Sequence, residues 1–331
     1  MDYLDAEVRL LLDAAIAPSS SRTYDTGVRS YLQFCAATST QPFPATEDDL
    51  LRFIASVRRR LSYKTIKVYL AGVQYKSALM GLQLRLHRFS RLHYALRGIR
   101  RLQGSEFSRP PRSPITLDHL SQLLSSAKKN FHRPDDYMIT AAVLVAFFAL
   151  LRSSEYTCPE TRHYDPECAL CFQDVQLEGH FQFAQIRISK SKTDPFRLGC
   201  DIKVWRTGGR LCPVKALRRF IQHHPFRQGP LFTFRDGSYL TRTRLANIMR
   251  SVLHDADLNT HSFRIGGASA AAAAGIPDST IQVMGRWASN AYRVYLRTPD
   301  TTFRQAAYAM SQRHSVLPLW NPHERDCAGK I

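Results

Sequence analysis

The chain has 331 residues, 44% of them hydrophobic, and its 46 Lys and Arg against 27 Asp and Glu give a formal net charge of +19. That length accommodates two domains, the apolar fraction is that of a globular rather than a disordered chain, and the charge excess points to a polyanionic partner, most simply nucleic acid, although basic composition alone also fits a membrane-surface protein. The longest apolar run, Met138 to Leu151, is too short to span a bilayer, no basic-then-apolar leader opens the chain, and the 7 scattered cysteines fit reduced thiols in an intracellular compartment.

Residues 1–103 read as helices only. The stretches "SSSRTYDTGVRSYLQFCAA", "TEDDLLRFIASVRRRL", "SYKTIKVYLAGVQYKSALMG" and "SRLHYALRGIRRLQG" carry apolar residues at three- and four-residue steps, which predicts a small helical bundle. Its polar faces are short of acids between Arg52 and Arg101. Arg58, Arg59, Arg60, Lys64, Lys67, Arg97, Arg100 and Arg101 are therefore candidate contacts to a DNA backbone, since a merely solvated helix face mixes both signs.

Residues 104–114, rich in Pro and Ser, break the helical pattern and predict a linker, with a fresh helix start at Thr116 or Asp118 opening a second domain over 115–331. Helices through Leu151 give way to "FQFAQIRIS" and "CDIKVWRT", which alternate like strands around a turn, "KSKTDPFRLG". A β-hairpin inside a helical domain is expected, and helices resume from "CPVKALRRFIQHH" to about Ser311. In "THSFRIGGASAAAAAG", Thr260 suits a helix N-cap and Gly275 the left-handed position that ends the helix. His261 and Arg264 then share a face in its first turn, where the dipole favours an anion. The fold class is mainly α with a small β-hairpin or sheet.

Four stretches of the second domain offer reactive or phosphate-binding groups. Arg152 ends the buried helix, with Glu155 three residues on to hold its guanidinium. Lys190 and Lys192 lie in the hairpin turn, His261 and Arg264 follow, and "MGRWASNAYRVYLRTP" supplies Trp287, Tyr292 and Tyr295. Each alone has a structural explanation: a salt bridge, a soluble turn, a solvated cap, a core aromatic. Their order, Arg, hairpin Lys, His-x-x-Arg, Trp, Tyr, resembles the catalytic set of the tyrosine recombinases, the phage-integrase family. The basic helical part also looks like that family's core-binding domain, of SAM-like type. The "GRW…AYRVYLR" ending looks most like eukaryotic members carried by mobile elements of the crypton and DIRS type.

That resemblance implies a helical core-binding domain followed by an α+β catalytic domain. It implies a site-specific recombinase or integrase that cleaves and rejoins DNA through a 3′-phosphotyrosine, with neither metal, ATP nor other cofactor; there is no Walker A motif. Arg152 and Arg264 would meet the charge that builds on the phosphate oxygens, and His261 and the Trp287 indole N–H would add hydrogen bonds. Tyr295 would be the nucleophile, Lys192, in its Ser-Lys-Thr turn, the acid for the departing 5′ oxygen, and Lys190 a DNA contact. Tyr292 would pack or hydrogen-bond beside the site. The partner is double-stranded DNA, the assembly a homotetramer on two synapsed sites and a monomer without DNA, and the location that of the DNA, the nucleus in a eukaryote.

Four rival readings compete, the first a type IB topoisomerase of similar chemistry, which the N-terminal basic bundle and the segment beyond Tyr295 fit less well than a recombinase. Asp194, Asp201 and Lys203 form an Asp, Asp-x-Lys pattern that would suit a metal-dependent nuclease. Cys158, His163, Cys168 and Cys171 could ligate zinc, although only the last pair has the tight Cys-x-x-Cys spacing. "AAAAAGIPDSTIQVMG" also reads as helix, turn, helix, which would suit a catalytically inactive, domesticated DNA-binding protein on the same fold.

Overall fold

The computed structural model describes residues 2–104, 107, 112–130, 133–164, 169–189, 191, 194 and 198–294. The chain divides into two compact units, Met1–Pro110 and Pro111–Ile331. Most of the expected linker, and the predicted site residues Lys190, Lys192, Cys168 and Tyr295, lie outside the described residues.

Among the described residues the first unit has five α-helices, α1 (Asp2–Ala14), α2 (Pro18–Ala37), α3 (Glu47–Val57), α4 (Tyr63–Leu79) and α5 (Ser90–Gln103). Local chemistry sets their ends. Thr46 and Asp49 close a reciprocal capping box at the start of α3, and Ser62 accepts the Thr65 N–H at the start of α4. Because Ser62 restarts the chain, α3 stops at Val57, and the Arg58–Arg60 triplet lies in a turn rather than on the helix that the periodicity predicts. Tyr31, Leu50, Phe53, Ile54, Ile66, Leu70 and Val73 form the core. The α2–α4 crossing is close: a Cβ on Gly27 would sit 2.6 Å from the Tyr69 Cα, and one on Gly72 would sit 2.7 Å from the Tyr24 carbonyl oxygen.

The second unit contains α6 (Leu117–Asn130), α7 (Arg133–Phe148), the single turn α8 (Ser153–Tyr156), α9 (Pro213–His223), α10 (Arg242–Leu253), α11 (Ser262–Ala273) and α12 (Asp278–Met284), with a 3-10 stretch over Asn290–Val294. Thr116 caps α6 through the His119 N–H at 3.1 Å. From Met138 to Phe147, α7 is buried almost throughout and forms the centre of the core, with α6, α9 and α11 packed around it.

The expected hairpin is present as β2 (Phe183–Ile188) and β3 (Cys200–Trp205), paired antiparallel from Phe183 opposite Trp205 to Ile188 opposite Cys200. A further strand, β1 (Val175–Glu178), pairs with the outer edge of β2 and completes a sheet of order β1-β2-β3. Its four residues alternate too briefly to register as a strand in the sequence. Ala184, Ile186, Ile188 and Val204 turn inward to the same core as α7. Among the described residues, no helix is long and apolar enough to cross a membrane.

Candidate active site and nucleic-acid interface

The site grows from the end of α7. Leu150 takes a left-handed conformation, φ +48°, and its carbonyl accepts from Arg264 Nη1 and, at 3.5 Å, from Arg286 Nη2. Two residues later Arg152 stands at the N-cap of α8, beyond the end of α7 rather than on it. Its backbone N–H donates to Glu155 Oε2 at 2.8 Å and its Nη1 to Glu155 Oε1 at 3.0 Å. The Glu155 side chain is 2% exposed and those of Arg152 and Arg286 are 13% exposed. This is a buried ion pair, not the solvated helix-end bridge that i, i+3 spacing most often signals.

Arg264 is the largest fully buried side chain among the described residues, at 1% exposure. Its guanidinium donates to the carbonyls of Leu150 and Gly285, and lies over the Trp287 ring, 4.2 Å from the centroid. The end of α7, the start of α11 and the end of α12 are thereby tied to one cation. Trp287 in turn packs against Tyr292, centroids 5.7 Å apart, in a small apolar cluster with Leu150, Ala268 and Ile281. Tyr292 is therefore a buried packing residue, and Trp287 is a platform for Arg264.

The cap expected from Thr260 is not formed. The helix begins at Ser262, its N-cap His261 makes no side-chain cap bond, and the Thr260 carbonyl accepts the Tyr156 hydroxyl at 3.0 Å. Asn259 takes over the local anchoring: its Oδ1 accepts the His261 N–H at 2.9 Å, and its carbonyl accepts the Ser262 N–H at 2.8 Å. The other end forms as expected, with Gly275 at φ +77° and the paired Gly275-to-Ala272 and Ile276-to-Ala271 bonds of a Schellman motif.

His261 is partly buried and surrounded by cations. Burial first, and then the guanidinium groups of Arg264, Arg112, Arg152 and Arg242, push its pKa down from 6.5 to about 4. At neutral pH the imidazole is uncharged, with one nitrogen to donate a hydrogen bond and one to accept. Cations beside a neutral imidazole donor are the chemistry that an oxyanion would meet here.

Arg112, Arg242 and Arg286 do not stand out in the sequence as site residues. Arg242 had a readable signal: it opens α10, where the dipole disfavours a cation and no acid is present. Arg112 is hidden by its Pro-rich surroundings. Arg286 reaches Glu155 with Nη2 at 2.9 Å and Nη1 at 3.3 Å, a pairing across 131 positions that no local pattern reveals.

The residues of the nuclease reading have other partners. Asp194 accepts the backbone N–H groups of Leu198 and Gly199, Asp201 pairs with Arg187 at 3.4 Å, and Lys203 lies over the Phe183 ring. The would-be nuclease residues thus serve the β2–β3 turn and the sheet face. Among the described residues no three His, Cys, Asp or Glu gather as metal ligands. Cys158 and Cys171 are buried free thiols, and Cys168, the partner of Cys171 in the Cys-x-x-Cys pair, lies outside the described residues.

In the first unit, the end of α3, the start of α4 and the end of α5 converge on Gln103. Its Nε2 donates to the Arg58 and Leu61 carbonyls, both at 2.8 Å, and its Oε1 accepts the Tyr63 N–H at 2.7 Å. Lys67 and Arg100 lie over the Tyr63 ring at 5.8 and 5.9 Å. Arg59, Arg60, Lys64, Arg100 and Arg101 are exposed around this corner, and Arg97 one turn back lies over Tyr94 at 5.7 Å.

No family model matches the sequence, and none of the curated proteins does. Solved structures do match in fold. The XerH site-specific recombinase, bound to its palindromic difH substrate in a post-cleavage complex, is similar over 88% of this chain and 80% of its own, at 16% identity and a TM-score of 0.58. The fold is that of the tyrosine recombinases. A lambda integrase dimer bound to a COC′ core site is similar over 89% of this chain and 76% of its own, at 12% identity and a TM-score of 0.54. The Tn1549 transposon integrase in complex with circular intermediate DNA gives 88% and 98%, at 15% identity and a TM-score of 0.53. On this tyrosine-recombinase fold, the Arg152, His261, Arg264 and Trp287 cluster occupies one continuous site in the second unit.

Proposed function

We propose that this protein is a site-specific DNA recombinase or integrase that cuts and rejoins strands through a 3′-phosphotyrosine. The observation that carries the reading is the juxtaposition of Arg152 and Arg264, both held by buried partners, with a neutral His261, on a fold shared with recombinases and integrases whose structures hold DNA. Negative charge grows on the non-bridging oxygens as a phosphodiester is attacked, and preorganised guanidinium groups stabilise it without further reorganisation. The Tyr295 oxygen forms its bond to phosphorus as the bond to the 5′ oxygen breaks; the phenolic proton passes to water, and Lys192 gives a proton to the departing 5′ oxygen. The phosphotyrosine conserves the bond energy, so the 5′ hydroxyl of a second strand can reverse the step without ATP or metal. Double-stranded DNA is the partner, held by the basic corner of the first unit, and four copies would assemble on two synapsed duplexes.

Capture from a pool of nicked duplexes of random sequence tests this. The native protein is expected to form a covalent adduct in EDTA, with the nucleotide remnant on Tyr295. Tyr295→Phe should bind DNA without forming the adduct, and Tyr292→Phe, if folded, should still form it. Adduct formation that requires magnesium would instead favour a metal-dependent nuclease, and binding with no adduct in any sequence a DNA-binding protein without catalysis.

A further inference from the structure

The Glu155 carboxylate has more compensation than one arginine provides. Its oxygens receive Arg152 Nη1, Arg286 Nη1 and Nη2, and the Arg152 backbone N–H, all within 3.3 Å. Arg286 reaches it from a left-handed backbone conformation, φ +55°, that non-glycine residues seldom adopt. The Arg286 carbonyl also accepts Arg152 Nη2 at 3.4 Å, so this residue grips both members of the Arg152–Glu155 pair. Its own terminal nitrogens are engaged with Glu155 and the Leu150 carbonyl, and its Nε is buried without a partner. Arg286 is thus directed at the carboxylate.

A phosphate arriving at Arg152 competes with Glu155 for the same guanidinium. Were Arg152 the sole partner of Glu155, every bond it gave to phosphate would weaken the compensation of a buried carboxylate, and an uncompensated buried charge is strongly unfavourable. We propose that Arg286 is a positioning residue that keeps Glu155 paired while Arg152 turns to a phosphate. The substrate class, a phosphodiester, rests on the recombinase reading above; the charge balance does not.

Titration calorimetry of the full chain with inorganic phosphate tests the role apart from strand cleavage, with adduct formation on a captured duplex measured in parallel. Native protein is expected to bind phosphate in a way that Arg152→Ala abolishes. Arg286→Ala should weaken that binding by at least about tenfold, because the phosphate then draws the last guanidinium away from a buried carboxylate. Adding Glu155→Gln to Arg286→Ala should recover most of the loss, because a neutral amide needs no counter-ion. Arg286→Gln replaces Arg286→Ala in every comparison if the alanine variant does not fold.

Phosphate binding unchanged in Arg286→Ala, no recovery in the double variant, or native binding that is absent or indifferent to Arg152→Ala would each overturn the proposal. The phosphate pattern without any covalent adduct would leave the positioning role standing and remove the recombinase reading. Adduct formation at the native rate in Arg286→Ala would do the reverse.

Discussion

His261 sits where four guanidinium groups and burial act in the same direction, and this sets a measurable dependence on pH. Its folded pKa, about 4, lies below the ordinary 6.5, so between these values the unfolded chain binds more protons than the folded one. Stability of the second unit therefore falls as pH is lowered from 6.5 through 4. Titrating carboxylates contribute to the same window, so the comparison is with His261→Gln, whose unfolding free energy against pH should be flatter there by the His261 contribution. Parallel curves for the two proteins would show that the ring is solvated. At this scale the site was partly legible. Arg152 with Glu155, and His261 with Arg264, are close in sequence and share a turn, so spacing alone pairs them. Arg286 is invisible to spacing because its place depends on a positive φ and on a partner in another element.

At the scale of elements, the position of Arg264 depends on how closely α11 approaches the end of α7. Gly267 permits it, since a Cβ there would lie 2.3 Å from the Phe147 carbonyl oxygen, and Gly266 permits the like approach to the segment before α6, where a Cβ would lie 2.0 Å from the Ile115 carbonyl oxygen. Both obstacles are backbone and cannot rotate away. Gly266→Ala and Gly267→Ala should each destabilise by about 1–3 kcal/mol, the usual cost of overpacking, and displace Arg264 from the Leu150 carbonyl. Gly98→Ala, in α5 with nothing within 4 Å of the added carbon, should instead stabilise by about 0.5–1 kcal/mol through helix propensity. Denaturant unfolding of the three variants checks the order, and a neutral Gly267→Ala would mean that α11 is not wedged on α7. Helices with long periodic faces and a side-chain cap, such as α3 and α4, were readable from the sequence, as were β2 and β3. What was not readable came from short or non-local causes: β1 is held by its register on β2, α3 is cut short by the cap of the next helix, and α11 starts late because Asn259 anchors the turn before it.

For the whole molecule, the relevant quantity is where a formal charge of +19 is displayed. The second unit keeps Arg152, Arg264 and Arg286 inward, on Glu155, on backbone carbonyls and on the Trp287 ring, where they build the site. In the first unit the basic residues Arg59, Arg60, Lys64, Lys67, Arg100 and Arg101 are exposed, and Gln103 fixes the three helix ends that carry most of them. A surface of that kind suits a phosphate backbone, whose bound counterions it would release. Affinity for duplex DNA should then fall steeply with salt, log Kd changing by about 0.9 per log unit of salt for each phosphate neutralised. Replacing Arg59, Arg60 and Arg100 together by alanine should weaken binding to all duplex sequences alike and reduce the salt slope by about one for each phosphate that is no longer neutralised. Gln103→Ala removes no charge but frees the helix ends, so it should lower affinity while leaving the slope nearly intact. Fluorescence anisotropy across a salt series measures both quantities. A triple variant with the native slope would place the DNA-binding surface elsewhere on the chain, and a Gln103→Ala protein with native affinity would show that the basic groups need no fixed arrangement to bind.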